Sequence, residues 1–267
     1  MVEDTQQLVE TVCELARHAG EAIMAVYAGE FAVETKQDAS PLTQADLAAH
    51  QVLVQGLQAL TPDWPVLSEE SAYIPWQQRA RWSRYWLVDP LDGTREFVKR
   101  NDEFTVNVAL IENSQSCLGV VLAPVTSELA WAWKGAGCWY RAAAQAPTER
   151  IRVRSAPPCP VVASSRSHTG AEERSMLDRL GQHERIALGS SLKFLRIGQG
   201  QADLYLRLGP TSEWDTAAAQ CVLEEAGGAV LDTQGHPLRY NTKESLLNPS
   251  FIAVGDQSVD WLSRMQR

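Results

Sequence analysis

The sequence predicts a mixed α/β protein, with an α+β first half and an alternating α/β second half. Apolar residues recur at steps of three and four over residues 5–28 and 43–60, which predicts two amphipathic helices. Short apolar runs between residues 64 and 140 are typical of strands. Beyond residue 160, segments with strand and helix character alternate. We therefore expect the two halves to build their sheets differently.

Two predicted strands in the first half end abruptly in acidic residues. The apolar runs at 64–67 and 85–88 are followed by Glu69 and Glu70 and by Asp89. Because open sheets place ligands beyond the carboxyl ends of buried strands, these acids are candidates for a functional site.

The rest of the first half predicts an antiparallel meander. Its strands are expected at 104–111, 117–122, 128–133 and 138–140. The stretch 142–160 is rich in Ala, Pro, Arg and Ser, which favours a boundary near residue 155. The chain would then consist of two parts, 1–155 and 156–267.

The second part predicts alternating strands and helices. Gly227-Gly228 is expected to end the last of these helices. The predicted strands are 161–163 and 203–208, and the predicted helices are 172–180, 192–198 and 216–226.

Composition limits the class of protein and of ligand. The 267 residues are 45% apolar and 21% charged, which excludes a disordered chain. A net charge of −9 argues against binding a nucleic-acid polymer, so an anionic ligand must meet locally arranged cations or metal ions. No apolar run approaches the roughly 18 residues that span a bilayer, and the first ten residues carry acids where a signal peptide carries bases. We expect a cytoplasmic protein without an integral membrane segment, whose five cysteines, lacking any C-x-x-C pair, stay reduced.

The segment Asp89-Pro90-Leu91-Asp92-Gly93-Thr94 is the most informative motif. Pro90 fixes one backbone angle and Gly93 permits a tight bend, so the carboxylates of Asp89 and Asp92 can converge on one point. Two ionised carboxylates at that separation repel each other unless a cation neutralises them, and Mg²⁺ suits oxygen ligands at neutral pH. The alternative is an ordinary turn in which the acids accept backbone N–H groups.

Other acids have simple structural explanations as well. Glu69-Glu70 has the composition of a solvated helix start, and Asp215 is suited to be the N-cap of the helix that follows it. Asp46 is expected to form a capping pair with Thr43.

Taken in order, these acidic motifs resemble those of the lithium-sensitive, Mg²⁺-dependent inositol monophosphatase superfamily. The motifs are Asp46, Glu69-Glu70, the segment from Asp89 to Thr94, and Trp214-Asp215-Thr216-Ala217-Ala218. The resemblance implies a layered αβαβα sandwich with two or three Mg²⁺ ions between its halves. It implies Glu69, Asp89 and the Leu91 carbonyl as ligands of one ion, and Asp89, Asp92 and Asp215 as ligands of a second. It also implies a water-activating relay formed by Glu70, Thr94 and Asp46.

Flanking motifs are similar to those of the CysQ-type 3′(2′),5′-bisphosphate nucleotidases within this superfamily. They are the run from Trp86 to Phe97, Ser165-Arg166-Ser167-His168 and the run from Gly189 to Phe194. The similarity implies hydrolysis of 3′-phosphoadenosine 5′-phosphate to AMP and phosphate by metal-activated water, in sulfur assimilation. The implied substrate contacts are His168, Ser190, Lys193 and Arg207, together with Glu69, Leu91, Asp92, Gly93, Thr94 and Asp215.

Several alternatives remain at this level. Lys193 has the simpler interpretation of a helix-surface lysine, Arg207 that of a strand-edge residue, and His168 that of a loop histidine. The whole chain is also compatible with an inositol or sugar phosphatase, or with a non-catalytic nucleotide-binding protein. Some members of this family lie at the inner face of the bacterial membrane, but no basic amphipathic helix in this sequence explains such a location.

Overall fold

A computed structural model describes residues 2–35, 41–71, 73–167 and 170–266 of the chain. The helices are α1 (Val2–Tyr27), α2 (Gln44–Leu60), α3 (Trp76–Arg79), α4 (Thr94–Val98), α5 (Ala171–Arg179), α6 (Leu192–Gly198), α7 (Glu213–Glu225) and α8 (Trp261–Gln266). The strands of the first half are β1 (Val33–Thr35), β2 (Pro41–Thr43), β3 (Val66–Ser68), β4 (Arg84–Asp92), β5 (Thr105–Glu112), β6 (Gln115–Ala123), β7 (Glu128–Trp133), β8 (Gly137–Arg141) and β9 (Glu149–Ile151). Those of the second half are β10 (Val161–Ser165), β11 (Glu184–Leu188), β12 (Leu204–Arg207), β13 (Ala229–Asp232) and β14 (Phe251–Val254).

The elements stack in five layers, which confirms the α/β class and the αβαβα sandwich. Helices α1 and α2 cover one face of a seven-stranded sheet, and α6 and α7 lie between that sheet and a five-stranded one. Helices α5 and α8 cover the outer face of the second sheet. No helix among the described residues has both the length and the apolar character to cross a membrane.

The first sheet has the strand order β3-β4-β5-β6-β7-β8-β9. From β4 onward all its pairs are antiparallel, so the predicted meander is confirmed. Strand β3 runs parallel to β4, with Ser68 opposite Val88. The residues that follow, Glu69 and Asp89, are therefore brought to the same edge of the sheet. The prediction that the second strand ends at 88 was wrong, because β4 continues through an irregularity to Asp92.

Helix α7 lies directly against the backbone of the first sheet. A Cβ atom on Gly119 of β6 would stand 2.2 Å from the carbonyl oxygen of Ala218 in α7, so only glycine permits this approach. The small residues Ala217, Ala218 and Ala219 give α7 the matching smooth surface. This contact places the N-terminus of α7 beside the end of β4.

The second sheet has the order β11-β10-β12-β14-β13 and is mixed, because β10 is parallel to β11 and β12 while β14 is antiparallel to its neighbours. The sequence analysis did not predict β11, β13 or β14. Strand β11 lies at the edge of the sheet and is mostly solvent-exposed, so it lacks an apolar pattern.

The boundary near residue 155 falls between the two sheets. The first sheet ends at Ile151 and the second begins at Val161. One hydrophobic cluster nevertheless joins side chains of both sheets through α6 and α7. The division into parts 1–155 and 156–267 therefore stays a prediction. All five cysteines are free thiols, as predicted.

Candidate metal centre and substrate cleft

Three carboxylates meet where the two sheets face each other. Asp89, Asp92 and Asp215 each offer an oxygen, and these oxygens all lie within 4.8 Å of one another. Two of the acids come from β4 and the third from α7, although more than 120 positions separate them along the chain. The carboxylate cluster of Asp89, Asp92 and Asp215 is thus a product of tertiary structure.

The end of β4 is shaped to present both of its acids. Its pairing with β5 shifts in register between Asp89 and Asp92, and Asp89 Oδ1 accepts a hydrogen bond of 3.1 Å from the N–H of Leu91. Gly93 follows with φ +95°, a left-handed conformation that favours glycine, and α4 begins immediately after it. This local geometry turns the side chain of Asp92 to the same side as that of Asp89.

Asp215 lies in the first turn of α7, but the prediction that it is the N-cap was wrong. The N-cap is Ser212, and Asp215 occupies the third helical position of a capping box. Its Oδ2 accepts a hydrogen bond of 2.8 Å from the N–H of Ser212. The sequence Ser212-Glu213-Trp214-Asp215 therefore caps the helix and presents a carboxylate to the cluster at the same time.

Electrostatics make the cluster unfavourable as free anions. Burial, followed by the charges of Glu69, Asp92 and Asp215, raises the pKa of Asp89 well above its ordinary value. Burial and the neighbouring Asp92 and Glu69 do the same to the pKa of Asp215. Burial also raises the pKa of Asp92, although Lys193 opposes the shift. Each carboxyl is therefore held in a place where its charged form needs a counter-charge.

Glu69 is a fourth acidic residue in the cleft, beside the carboxylate cluster. It begins a short 3₁₀ turn, Glu69–Ser71, and it lines the cleft beside Asp89. A helical turn does start here, as the structural alternative proposed, yet Glu69 faces the cleft. Carboxylate oxygens are the donors that hard dications prefer, so the residues present fit Mg²⁺.

Asp46 forms the predicted capping pair and also contacts Thr94, while its part in a water-activating relay stays a prediction. Its Oδ2 accepts hydrogen bonds from the N–H of Thr43 at 2.7 Å and from the hydroxyl of Thr43 at 2.6 Å, which confirms the capping pair. Its Oδ1 accepts the hydroxyl of Thr94 at 3.0 Å, and that hydroxyl lies 3.3 Å from the Leu91 carbonyl oxygen. Glu70 is half-buried in the turn that Glu69 begins, and its place in a water-activating relay stays a prediction.

The carboxylate cluster lies in a cleft of about 620 Å³. Cationic side chains line the same cleft, including Arg95, Lys193 and Arg207. Gly93, Thr94, Ser190 and Asp215 also line it, as do Leu91 and Asp92. His168 lies outside the described residues. With that exception, the cleft brings together every residue predicted to contact substrate.

Lys193 and Arg207 are buried, so both surface interpretations were wrong. Only 5% of Lys193 and 7% of Arg207 is exposed, and β12, which carries Arg207, is the central strand of its sheet. The Lys193 ammonium lies 5.0 Å from the centroid of the Tyr205 ring, and its pKa is lowered to about 8, chiefly by burial. Two buried cations in one cleft make this end of it suited to an anionic ligand.

The sequence analysis missed the side chains that bind Asp92. Asn107 and Ser191 both donate hydrogen bonds to its Oδ2. Thr105 and Asn107 interrupt the apolar run from Phe104 to Ile111, and this was the signal for Asn107, since buried polar groups need partners. Ser191 had no comparable signal.

Comparison with known proteins agrees with this geometry. The profile of the Inositol monophosphatase family matches residues 4–258. This chain belongs to the inositol monophosphatase family. The cleft that contains the carboxylate cluster and Glu69 is therefore the candidate active site.

Two curated relatives and one solved structure share the name CysQ. The 3′(2′),5′-bisphosphate nucleotidase CysQ of Salmonella typhimurium is 52% identical over 250 residues, covering 91% of this chain and 98% of that protein. The Haemophilus influenzae protein of the same name is 37% identical over 262 residues, covering 98% and 97%. The crystal structure of CysQ from Bacteroides thetaiotaomicron superposes with a TM-score of 0.83 at 37% identity, over 94% of this chain and 97% of that one. This chain is similar to all three over nearly its full length.

Proposed function

We propose that the chain is a Mg²⁺-dependent 3′(2′),5′-bisphosphate nucleotidase that hydrolyses the 3′-phosphate of 3′-phosphoadenosine 5′-phosphate to AMP and phosphate. The observation that carries the proposal is a single cleft holding the carboxylate cluster together with two buried cations, Lys193 and Arg207. The relatives named as bisphosphate nucleotidases support it. Service in sulfur assimilation stays a prediction.

The charge of the substrate explains why the site needs both the carboxylate cluster and the buried cations. A bisphosphorylated nucleotide carries close to four negative charges, whereas the chain has a net charge of −9. Ions held by the acids would neutralise the phosphate that is cleaved. Lys193 and Arg207 are fixed cations for the phosphate that is retained. An inositol monophosphate has no second phosphate to meet them, which favours the nucleotide.

In the proposed site, Glu69, Asp89 and the Leu91 carbonyl would hold one ion, and Asp89, Asp92 and Asp215 would hold a second. Bound Mg²⁺ would supply charge stabilisation for the phosphoryl oxygens and a lowered pKa for the attacking water. The Thr94 hydroxyl donates a hydrogen bond to the Asp46 carboxylate and also lies close to the Leu91 carbonyl oxygen. These two contacts fix its orientation. We assign this hydroxyl, with Glu70, to orienting the water that attacks.

Substrate preference tests the proposal directly. Phosphate release from 3′-phosphoadenosine 5′-phosphate and from inositol monophosphate is measured with and without Mg²⁺, and with added Li⁺. We expect a clear preference in kcat/KM for the nucleotide, dependence on Mg²⁺ and inhibition by Li⁺. A preference for inositol monophosphate would favour the inositol phosphatase alternative. No turnover of either ester would favour a non-catalytic binding protein.

Replacing Lys193 by Met is expected to lower kcat/KM for the nucleotide by about 10- to 100-fold, because a charge-assisted bond contributes about 1.5–3 kcal/mol. Turnover of inositol monophosphate should change much less. Lys134→Met is the matched control, since Lys134 is exposed and bonds Gln115 at 3.1 Å far from the cleft. Equal losses for both substrates would place Lys193 outside the site for the second phosphate.

We also expect KM for the nucleotide to depend on pH through Lys193. Burial lowers the pKa of Lys193 to about 8, so its charge is lost as the pH rises through that value. KM for the nucleotide should therefore increase between pH 7 and pH 9. In Lys193→Arg the increase should disappear, because a guanidinium stays charged over this range. A wild-type KM that is flat over the same range would contradict the assigned role.

A further inference from the structure

The carboxylate of Asp92 is held through one of its two oxygens. Its Oδ2 lies 2.9 Å from the hydroxyl of Ser191 and 3.2 Å from the amide nitrogen of Asn107. The hydroxyl of Thr105 approaches the same oxygen at 3.4 Å. All three of these side-chain contacts are made to Oδ2, and the backbone of Ser191 also hydrogen-bonds to the Asp92 carboxylate. The two oxygens of one carboxylate thus have different surroundings.

The polarity of these bonds follows from the donors available. The amide nitrogen of Asn107 carries two protons, which match Asp92 Oδ2 at 3.2 Å and the hydroxyl oxygen of Ser191 at 2.9 Å. The hydroxyl of Thr105 lies 3.2 Å from Asn107 Oδ1 and can donate to it, which fixes the orientation of the amide. Having accepted from Asn107, Ser191 uses its own proton toward Asp92. Asn107 and Ser191 therefore each point a donor at Asp92 Oδ2, and Thr105 holds the amide of Asn107 in place.

Burial excludes water as a substitute for these donors. The exposed fraction of Ser191 and Thr105 is 0%, and that of Asn107 is 1%. A polar residue enclosed to this degree is unfavourable unless it is hydrogen-bonded. The polar side chains at these positions therefore need an explanation beyond packing.

Ser191 also joins segments that are distant in sequence. Its hydroxyl oxygen lies 3.1 Å from the backbone carbonyl oxygen of Asp215, in addition to its bond with Asp92. Ser191 is the N-cap residue of α6, Asp92 ends β4, and Asp215 is in α7. One hydroxyl thus lies between the two acids that are proposed to share an ion.

From this geometry we infer that Asn107 and Ser191 are positioning residues that hold Asp92 as a one-oxygen metal ligand. They occupy Oδ2 with donors and leave Oδ1 to the carboxylate cluster. The inference rests on the proposed metal site. Partners of metal ligands typically change metal affinity by about 10- to 100-fold when they are removed, because an unrestrained carboxylate must be ordered on binding.

The test measures Mg²⁺ binding itself. The Mg²⁺ dissociation constant is determined by titration calorimetry for the wild type, Ser191→Ala and Asn107→Asp, and the Tm of each is measured without Mg²⁺. We expect binding to weaken about 10-fold or more in Ser191→Ala. We expect a larger loss in Asn107→Asp, which keeps the shape of the side chain but turns an acceptor toward Asp92.

Ser116→Ala is the matched control. The hydroxyl of Ser116 is buried and donates to the Ala217 carbonyl oxygen in α7 at 2.7 Å, away from Asp92. The Ser116→Ala substitution should lower the Tm of the metal-free protein with little change in Mg²⁺ affinity. If Ser191→Ala and Asn107→Asp behave as this control does, the two residues only support the fold and the inference is wrong. If the wild type itself does not bind Mg²⁺, the proposed function fails with it. If one variant does not fold, the other decides.

Discussion

Asp89→Asn is expected to lower phosphate release by on the order of 10³-fold, and to leave the metal-free protein as stable as the wild type or more stable. The loss of activity follows from the position of Asp89, which is the acid shared by both proposed ions. Its neighbours Asp92 and Asp215 lie within 4.8 Å of it. Activity is measured as phosphate release at saturating Mg²⁺, and stability as the free energy of unfolding in the absence of metal.

The stability result is the more unusual half of this prediction. Most changes at a residue that is 1% exposed destabilise a protein, because a buried group loses its partners. Here burial and three neighbouring carboxylates already raise the pKa of Asp89 well above its ordinary value, so its ionised form is unfavourable. An amide of the same shape removes that repulsion.

Asp203→Asn provides the matched control. Asp203 is also 1% exposed, but its oxygens accept from Arg154 at 2.9 and 2.7 Å and from the N–H of Val161 at 2.6 Å. The Asp203→Asn substitution should lower the free energy of unfolding by about 1–3 kcal/mol, because the Arg154 guanidinium loses its charged partner. A comparable loss of metal-free stability in Asp89→Asn would contradict the crowding of the carboxylate cluster.

Addition of Mg²⁺ is expected to raise the Tm of the wild type by roughly 5–10 °C at 100 times the dissociation constant. Binding to the folded state contributes about 2.7 kcal/mol per site at that concentration. For a chain of this size, each kcal/mol shifts Tm by about 2–4 °C. The measurement is thermal unfolding with and without MgCl₂, with NaCl added to match the ionic strength.

The direction of the pH dependence follows from the raised pKa values. Asp89, Asp92 and Asp215 have pKa values above the ordinary value of 3.8 in the folded chain, so their contribution to the stability of the metal-free protein should decrease as the pH rises above about 4. Glu213, whose pKa burial raises to about 7, contributes in the same direction near neutral pH. Mg²⁺ should remove the part of this decline that comes from the carboxylate cluster, because the ions replace the protons.

The variant Asp89→Asn separates these contributions. It keeps Glu213 but lacks the shared ligand, so both its Tm increase with Mg²⁺ and its metal-free decline with pH should be smaller than in the wild type. An equal Tm increase in both proteins would mean that the ion binds elsewhere.

Local sequence determined much of this protein. The spacing of apolar residues predicted α1 and α2, and the short apolar runs between turns predicted the meander from β5 to β8. The pairing of Thr43 with Asp46 was also correct, because a capping box involves residues only three positions apart. Recognition of the acidic motifs extended this to the layered sandwich, which the family match confirms.

Only the tertiary structure decided which polar residues share an environment. From the sequence alone, Lys193 and Arg207 were open to surface interpretations and Ser191 had no assigned role. In the structure, Lys193 and Arg207 are buried where they line the cleft, and Ser191 is buried against Asp92. Helix and strand patterns depend on neighbours along the chain, so they can be predicted from it. Burial and long-range hydrogen bonds depend on which elements pack together, and Ser191 meets Asp92 across 99 positions.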